Sequence, residues 1–283
     1  MLPIKLIADS TCDLSPELIE KYDVTILPLQ VVLEDESKLD GVEITPEEVY
    51  TWCDKNNRTP GTSAPSPDSV QKAFAEFSGK SDIIAFTIGK DMSSTYQSFC
   101  SIASEFTDSR ISVIDTQNLS TGIGLQIVFA GELIKNGADY ETVVKETQNI
   151  VPKVRAGFVV DSVQFLYKGG RCSALAAFGA TALKLHPTLA VVDGVIKVDK
   201  KVRGDIGAAT MKYATGLEEG LINNAREDFV FITHSGSDKE TVDKVYEYVS
   251  GLNKFKHIYV TRAGCVVSSH CGPKTLGVLY IEK

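Results

Sequence analysis

The chain has 283 residues, a formal net charge of −8 and six cysteines, a length that accommodates two domains around an enclosed core. No block of Lys and Arg could neutralise several phosphates, which excludes nucleic acid as a partner. No apolar run approaches the roughly 18 residues a membrane span needs, and Met1-Leu2-Pro3-Ile4-Lys5 leads into a strand pattern rather than a signal peptide, so a soluble, cytoplasmic protein is expected. Cys12, Cys53, Cys100, Cys172, Cys265 and Cys271 contain no Cys-x-x-Cys pair and read as reduced thiols. Cys265 and Cys271 bracket His270, but zinc ligands come in tighter pairs with a second pair elsewhere, so no metal is expected.

In chain order, Lys5 to Ala8 and Val24 to Leu33 are strand-like, and Ser15-Pro16-Glu17 opens a short helix between them by N-cap and first-turn chemistry. Thr45-Pro46-Glu47-Glu48 opens another, in which Thr45 and Glu48 make a capping box. Thr62-Ser63-Ala64-Pro65-Ser66-Pro67 is a hydroxyl-rich loop that ends in a capped helix running to about Phe77. The apolar run from Asp82 to Ile88 predicts a buried strand, followed by a polar turn and a helix from Ser94. Ile111 to Ile114 predicts a strand, and a long helix from about Leu119 stops near Asn136-Gly137.

After Pro152 the pattern changes. Ala156 to Val160 predicts a strand, and Leu189 to Val192, Asp193-Gly194 and Val195 to Val202 predict a hairpin with a type I′ turn. Strands near Phe229 to Thr233, His257 to Thr261 and Val278 to Ile281 alternate with helices at about 205–223 and 238–250. The expected fold class is α/β. Residues 1–152 form a mostly parallel sheet covered by helices, residues 153–283 a mixed, partly antiparallel α/β domain, and the ligand lies between them.

Ser93 and Ser94 carry the strongest functional signal, because a serine at a strand-to-helix turn offers a hydroxyl beside unpaired backbone N–H groups at the positive end of the helix dipole. With the Thr62 loop they suggest one site for a carboxylate or phosphate. Other motifs fail. Gly79-Lys80-Ser81 has Phe74 where a P-loop needs its first glycine, and Gly122-x-Gly124 has Ile127 where a dinucleotide fingerprint needs its third. Neither ATP nor NAD is expected to bind this chain alone.

An ordered set of motifs carries a resemblance across nearly the whole chain. It comprises Ala8-Asp9-Ser10-Thr11-Cys12-Asp13-Leu14, Thr62-Ser63-Ala64-Pro65-Ser66, Ser93-Ser94-Thr95-Tyr96-Gln97-Ser98 and Asp115 with Gly122-x-Gly124. Leu166-Tyr167-Lys168-Gly169-Gly170-Arg171, Val202-Arg203 and His270-Cys271-Gly272-Pro273 complete it. The chain resembles the DegV family. The resemblance implies a two-domain protein that binds a long-chain fatty acid and serves as the acyl-carrying subunit of bacterial fatty acid kinase. Such a subunit presents the carboxylate to a separate ATP-binding kinase subunit, which phosphorylates it to an acyl phosphate for phospholipid synthesis. It further implies that Thr62, Ser93, Ser94 and His270 hold the carboxylate, that Arg171 and Arg203 lie on the partner surface, and that no catalytic residue or covalent cofactor is present. Transient contact with a membrane surface for lipid exchange fits the same picture. Three positions depart from the family pattern. His186 stands before Pro187 where Lys is usual, Lys274 follows Gly272-Pro273 where a second glycine is usual, and Ala64 replaces a common Gln.

Each assignment has a plainer counterpart. Ser93 and Ser66 also suit simple helix caps, Thr62 a loop residue, His270 a packed core histidine, Asp9 and Asp115 turn caps, and Lys168-Gly169-Gly170-Arg171 an exposed turn. A rival function is a serine esterase or thioesterase with Ser93 as nucleophile, His270 as base and Asp115 or Asp9 as orienting acid, although no Gly-x-Ser-x-Gly elbow surrounds Ser93. Another is a binding protein for a phosphorylated metabolite, for which Lys90 is the nearby cation.

Overall fold

The computed structural model describes residues 2–172 and 185–283. Strands β1 (Ile4–Asp9), β2 (Val24–Leu27), β6 (Asp82–Thr87) and β7 (Ile111–Asp115) form a parallel sheet in the order β2-β1-β6-β7. Every residue of β6 is buried, as a central strand covered on both faces requires. Strand alternation sorts the side chains. Ile7, Ile83 and Ala85 meet Val70 and Phe74 of α3 (Pro67–Phe77) and Phe99 of α4 (Thr95–Ala103), whereas Leu6, Ala8, Ile84 and Phe86 face the opposite way.

That opposite side is filled by α5 (Thr121–Lys135), buried from Thr121 to Gly131. Beyond it lies a six-stranded sheet in the order β10-β9-β8-β13-β11-β12. Its strands are β8 (Val154–Val159), β9 (Leu185–Val192), β10 (Val195–Arg203), β11 (Ala225–His234), β12 (His257–Arg262) and β13 (Leu276–Glu282). Only β11 and β12 pair in parallel; the other neighbours are antiparallel. Phe158, Phe231 and Leu279 join the α5 core, while Val230 and Ile232 turn to α8 (Ile206–Thr215) and α9 (Lys239–Gly251). Helix α5 is therefore a shared middle layer between two sheets. Gly124 and Gly131 serve packing there, since a Cβ on them would stand 2.9 Å from Leu14 and 2.3 Å from Tyr22.

Local expectations recur in detail. Thr45 and Glu48 make both bonds of the capping box at the start of α2 (Pro46–Asn56), and Asp193 and Gly194 both take positive φ in the hairpin turn. The long helix begins at Thr121 rather than Leu119, because Ser120 sits at φ 54°, ψ −145°, outside helical space.

Other expectations need correction. The stretch Val24 to Leu33 is not one strand: it breaks at Pro28-Leu29, and its second half, β3 (Gln30–Leu33), joins a separate antiparallel sheet β4-β3-β5 with β4 (Glu36–Leu39) and β5 (Gly61–Ser63). Pro28 cannot donate to a ladder, and the Leu29 N–H is taken by Ser10 Oγ at 3.0 Å. The helix expected over 205–223 ends at Thr215, before Gly216, and Gly220–Asn224 forms a separate π turn. Three helices went unpredicted: α6 (Tyr140–Ile150), capped by Asp139, and the short α7 (Gln164–Lys168) and α10 (Cys265–Cys271).

Candidate functional site

In the parallel sheet the chain leaves β1 for β2 on one side and returns to β6 on the other, so the direction reverses between β1 and β6. The crevice outside the carboxyl ends of strands at such a point is where α/β sheets place ligands. The loop Ile88 to Ser94 lies there. The small sheet brings β5 against it, and α10 comes from the second half of the chain.

Together these elements enclose a cavity of about 240 Å³ whose lining includes Thr62, Ser63, Ala64, Ser93, Ser94, Arg171 and His270 at polar positions and loop edges. Leu29, Ile88, Met92, Leu119, Leu166, Ile196, Val266, Val267 and Cys271 supply its apolar walls. Leu119, Val267 and Cys271 also line a second, narrower space of about 30 Å³ that continues toward Ala156, Phe158 and Leu279 under the mixed sheet. The cavity thus has a polar mouth and an apolar interior. Sequence reading singled out none of these apolar residues as ligand-lining, because they look like ordinary core; the run Cys265-Val266-Val267 with Cys271, at helical spacing, was the available signal.

Within the polar end, Thr62 Oγ1 and His270 Nε2 stand 2.8 Å apart. Nδ1 of His270 is buried and has no partner among the described residues, and Gly169 approaches it so closely that a Cβ would lie 2.3 Å away. Burial, with a smaller contribution from the Arg171 charge, pushes the His270 pKa down to about 4. The imidazole is therefore neutral near pH 7. Ser93 Oγ is 2.8 Å from Thr95 Oγ1 and accepts the Thr95 N–H at 3.3 Å. Ser94 is the N-cap of α4 and makes no side-chain cap bond.

All four residues expected around a carboxylate, Thr62, Ser93, Ser94 and His270, line this one cavity. Arg171 lines it too, with Nη1 donating to Gly169 O at 2.6 Å. Arg171, expected on the partner surface, is exposed and also belongs to the cavity wall. Arg203 ends β10 opposite Leu185 and does not line the cavity.

His186, before Pro187, is buried with Nδ1 3.2 Å from Val160 O and 3.6 Å from Asp161 Oδ1. Lys274 occupies a turn at φ 61°, and Ala64 sits in the cavity wall.

The constellation a hydrolase needs is not assembled. His270 Nε2 faces Thr62 rather than Ser93, and Asp115 accepts the Lys90 and Gln117 N–H groups at 3.1 and 3.2 Å. Asp9 is buried and accepts from Ile88 N at 2.7 Å and from Thr11. Lys90 pairs with Asp115 at 3.6 Å and is absent from the cavity wall, so Arg171 is the cation there among the described residues. No group of three or more His, Cys, Asp or Glu able to hold a metal occurs among the described residues, and no described helix is long and apolar enough to cross a membrane.

The chain is similar to a DegV domain-containing protein of Clostridium perfringens, at 32% identity over 282 residues and 99% of each chain. A solved structure from Thermus thermophilus, described as fatty acid binding of a DegV family protein, matches with a TM-score of 0.87 at 30% identity over 100% of both chains. The Streptococcus pneumoniae fatty acid kinase B3 protein, solved loaded with linoleic acid, has the same fold, with a TM-score of 0.86 at 19% identity over 100% of both chains. The model of the DegV family matches residues 3–283, and the chain belongs to that family.

Proposed function

We propose that this chain binds a long-chain fatty acid, with the carboxylate at the Thr62, Ser93, Ser94, Arg171 and His270 end of the cavity and the tail along its apolar walls. The observation that carries this reading is the joining of a donor-rich mouth to an interior of Leu, Ile, Met and Val side chains. A neutral His270 with its proton on Nε2 donates to Thr62 Oγ1, and the Thr62 O–H is then free to donate to an anion. The Ser93 hydroxyl and the Ser94 N–H add donors at the positive end of α4, and Arg171 adds charge. Hydrogen bonds to a charged acceptor are the strong ones. Each buried CH₂ of the tail contributes about 0.8 kcal/mol, which favours long chains. The fatty acid bound by the T. thermophilus relative supports the same ligand class.

The finer role is that of an acyl carrier in the cytoplasm, with domains 1–152 and 153–283 closing on the ligand and the carboxylate presented to a separate ATP-binding kinase subunit. Exposed Ser94 and Arg171 at the mouth suit access by a partner. Solvent extraction of the purified protein followed by mass spectrometry tests the ligand; a fatty acid of about 14–18 carbons is expected, because such a tail is long enough to survive purification. Recovery of water-soluble metabolites alone, with no binding of added fatty acid, would overturn it. Mixing with a kinase subunit, ATP and Mg²⁺ and trapping acyl phosphate with hydroxylamine tests the carrier role, and Arg203→Ala should lower that yield while sparing lipid binding.

A further inference from the structure

Helix α10 carries His270 in its last turn, and its first turn is gripped by two buried aspartates from the other half of the chain. Asp13 Oδ1 accepts the Gly264 N–H at 2.8 Å, and Asp40 Oδ1 accepts the Cys265 N–H at 2.7 Å. The second oxygen of each is also occupied: Ser120 Oγ donates to Asp13 at 2.5 Å and Ser10 Oγ to Asp40 at 2.8 Å. Gly264 lies between the two carboxylates, where a Cβ would stand 3.2 Å from an oxygen of each. Cys265 Sγ adds a contact to Ile44 O at 3.0 Å.

Asp40 directly follows β4, β4 pairs with β3, and β3 pairs with β5, the strand of Thr62. The three-stranded sheet therefore holds α10 at both ends, through Asp40 at Cys265 and through Thr62 at His270. A helix of seven residues is too short to keep its own geometry in water. A shift at its start passes to His270, five residues and about 7.5 Å along the axis.

We propose that Asp13 and Asp40 are positioning residues of the carboxylate site, fixing the start of α10 so that His270 meets Thr62. The proposal rests on the fatty-acid reading for its effect on affinity, but not for its effect on the His270 ring.

The test compares palmitic acid with hexadecanol, which has the same tail and no charge, on the full chain and its variants. Asp40→Ala should weaken palmitate about tenfold, the scale of a lost hydrogen bond to a charged group, and hexadecanol by less than about twofold. Asp40→Asn keeps an acceptor for the Cys265 N–H and should recover palmitate binding to within about threefold of the parent. Equal weakening of both probes, or none, overturns the proposal. Should Asp40→Ala fail to fold, Gly264→Ala presses a methyl group on both carboxylates and is judged by the same two probes. In the ligand-free protein, the His270 ring ¹⁵N resonances should move in Asp40→Ala and return in Asp40→Asn. An unmoved spectrum overturns the positioning role whatever the ligand proves to be, whereas a parent chain that binds neither probe overturns the fatty-acid reading alone.

Discussion

Thr62 Oγ1 and His270 Nε2 meet at 2.8 Å across 208 positions of sequence. This bond ties strand β5 to helix α10 at the mouth of the cavity and settles what the imidazole can do. Its Nε2 is committed to Thr62, its Nδ1 is buried without a partner among the described residues, and burial keeps it uncharged near neutrality. In the proposed function it therefore supports the threonine hydroxyl rather than serving as a base for Ser93.

Thr62→Val and Ser93→Ala should each weaken fatty acid binding by about 1.5–3 kcal/mol, or roughly 10- to 150-fold in Kd, while circular dichroism stays native. Thr62→Val should have the larger effect, because it also leaves His270 Nε2 without a partner. Isothermal titration with palmitate reads both values. Parent-like affinity in the two variants would place the carboxylate elsewhere.

Gly169→Ala should disturb the site without removing a polar group from it. The added methyl group would lie 2.3 Å from His270 Nδ1, so the ring or the α7 turn must move. Overpacking of this kind costs about 1–3 kcal/mol of stability. A lowered Tm together with weaker palmitate binding is expected, and an unchanged Tm would show that the turn yields freely.

Arg171→Ala should raise the His270 pKa above its value of about 4, because the Arg171 charge is the second cause of its depression. Burial is the first cause and remains, so the new value should stay below the ordinary 6.5. NMR titration of the ring protons measures it. The same variant should weaken palmitate, since it removes the cation at the cavity mouth; loss of kinase coupling with palmitate affinity intact would instead assign Arg171 to the partner surface alone.

Stability should fall as pH rises from neutral to mildly alkaline. Burial, opposed by hydrogen bonds from Ser120 and Gly264, pushes Asp13 up to about 8, and burial likewise pushes Asp9 up to about 6. Between the ordinary carboxylate value near 4 and these raised values, the folded state holds protons that the unfolded state has released. Stability therefore declines with pH through that window and levels off above the folded values. His270 acts oppositely, but only between about 4 and 6.5. From 6.5 to about 8, Asp13 is the one of these three groups still titrating. Tm measured across that interval should drop, and Asp13→Asn should flatten the drop; a slope that survives the substitution would assign it to another group.

Much of the secondary structure was readable from the residues because its causes are local. The capping box of Thr45 and Glu48, the Ser66-Pro67 helix start, the all-apolar β6 and the Asp193-Gly194 turn depend on neighbours within a few positions. The family motifs extended this reach, since their order across the chain pointed to Thr62, Ser93, Ser94 and His270 together. The tertiary structure decided the rest. Whether Val24 to Leu33 continues as one strand depends on where Ser10 stands to take the Leu29 N–H. Helix α10, with only seven residues and no cap of its own, exists where Asp13 and Asp40 receive its first N–H groups from more than two hundred positions away. Arg171 looks like one more exposed turn residue until Gly169 and His270 are folded beside it. Periodicity and capping operate over one or two turns of chain and so determine elements. A binding cavity is made of side chains from distant elements, and only the packing of the parallel sheet, the β4-β3-β5 sheet and α10 brings them to one mouth.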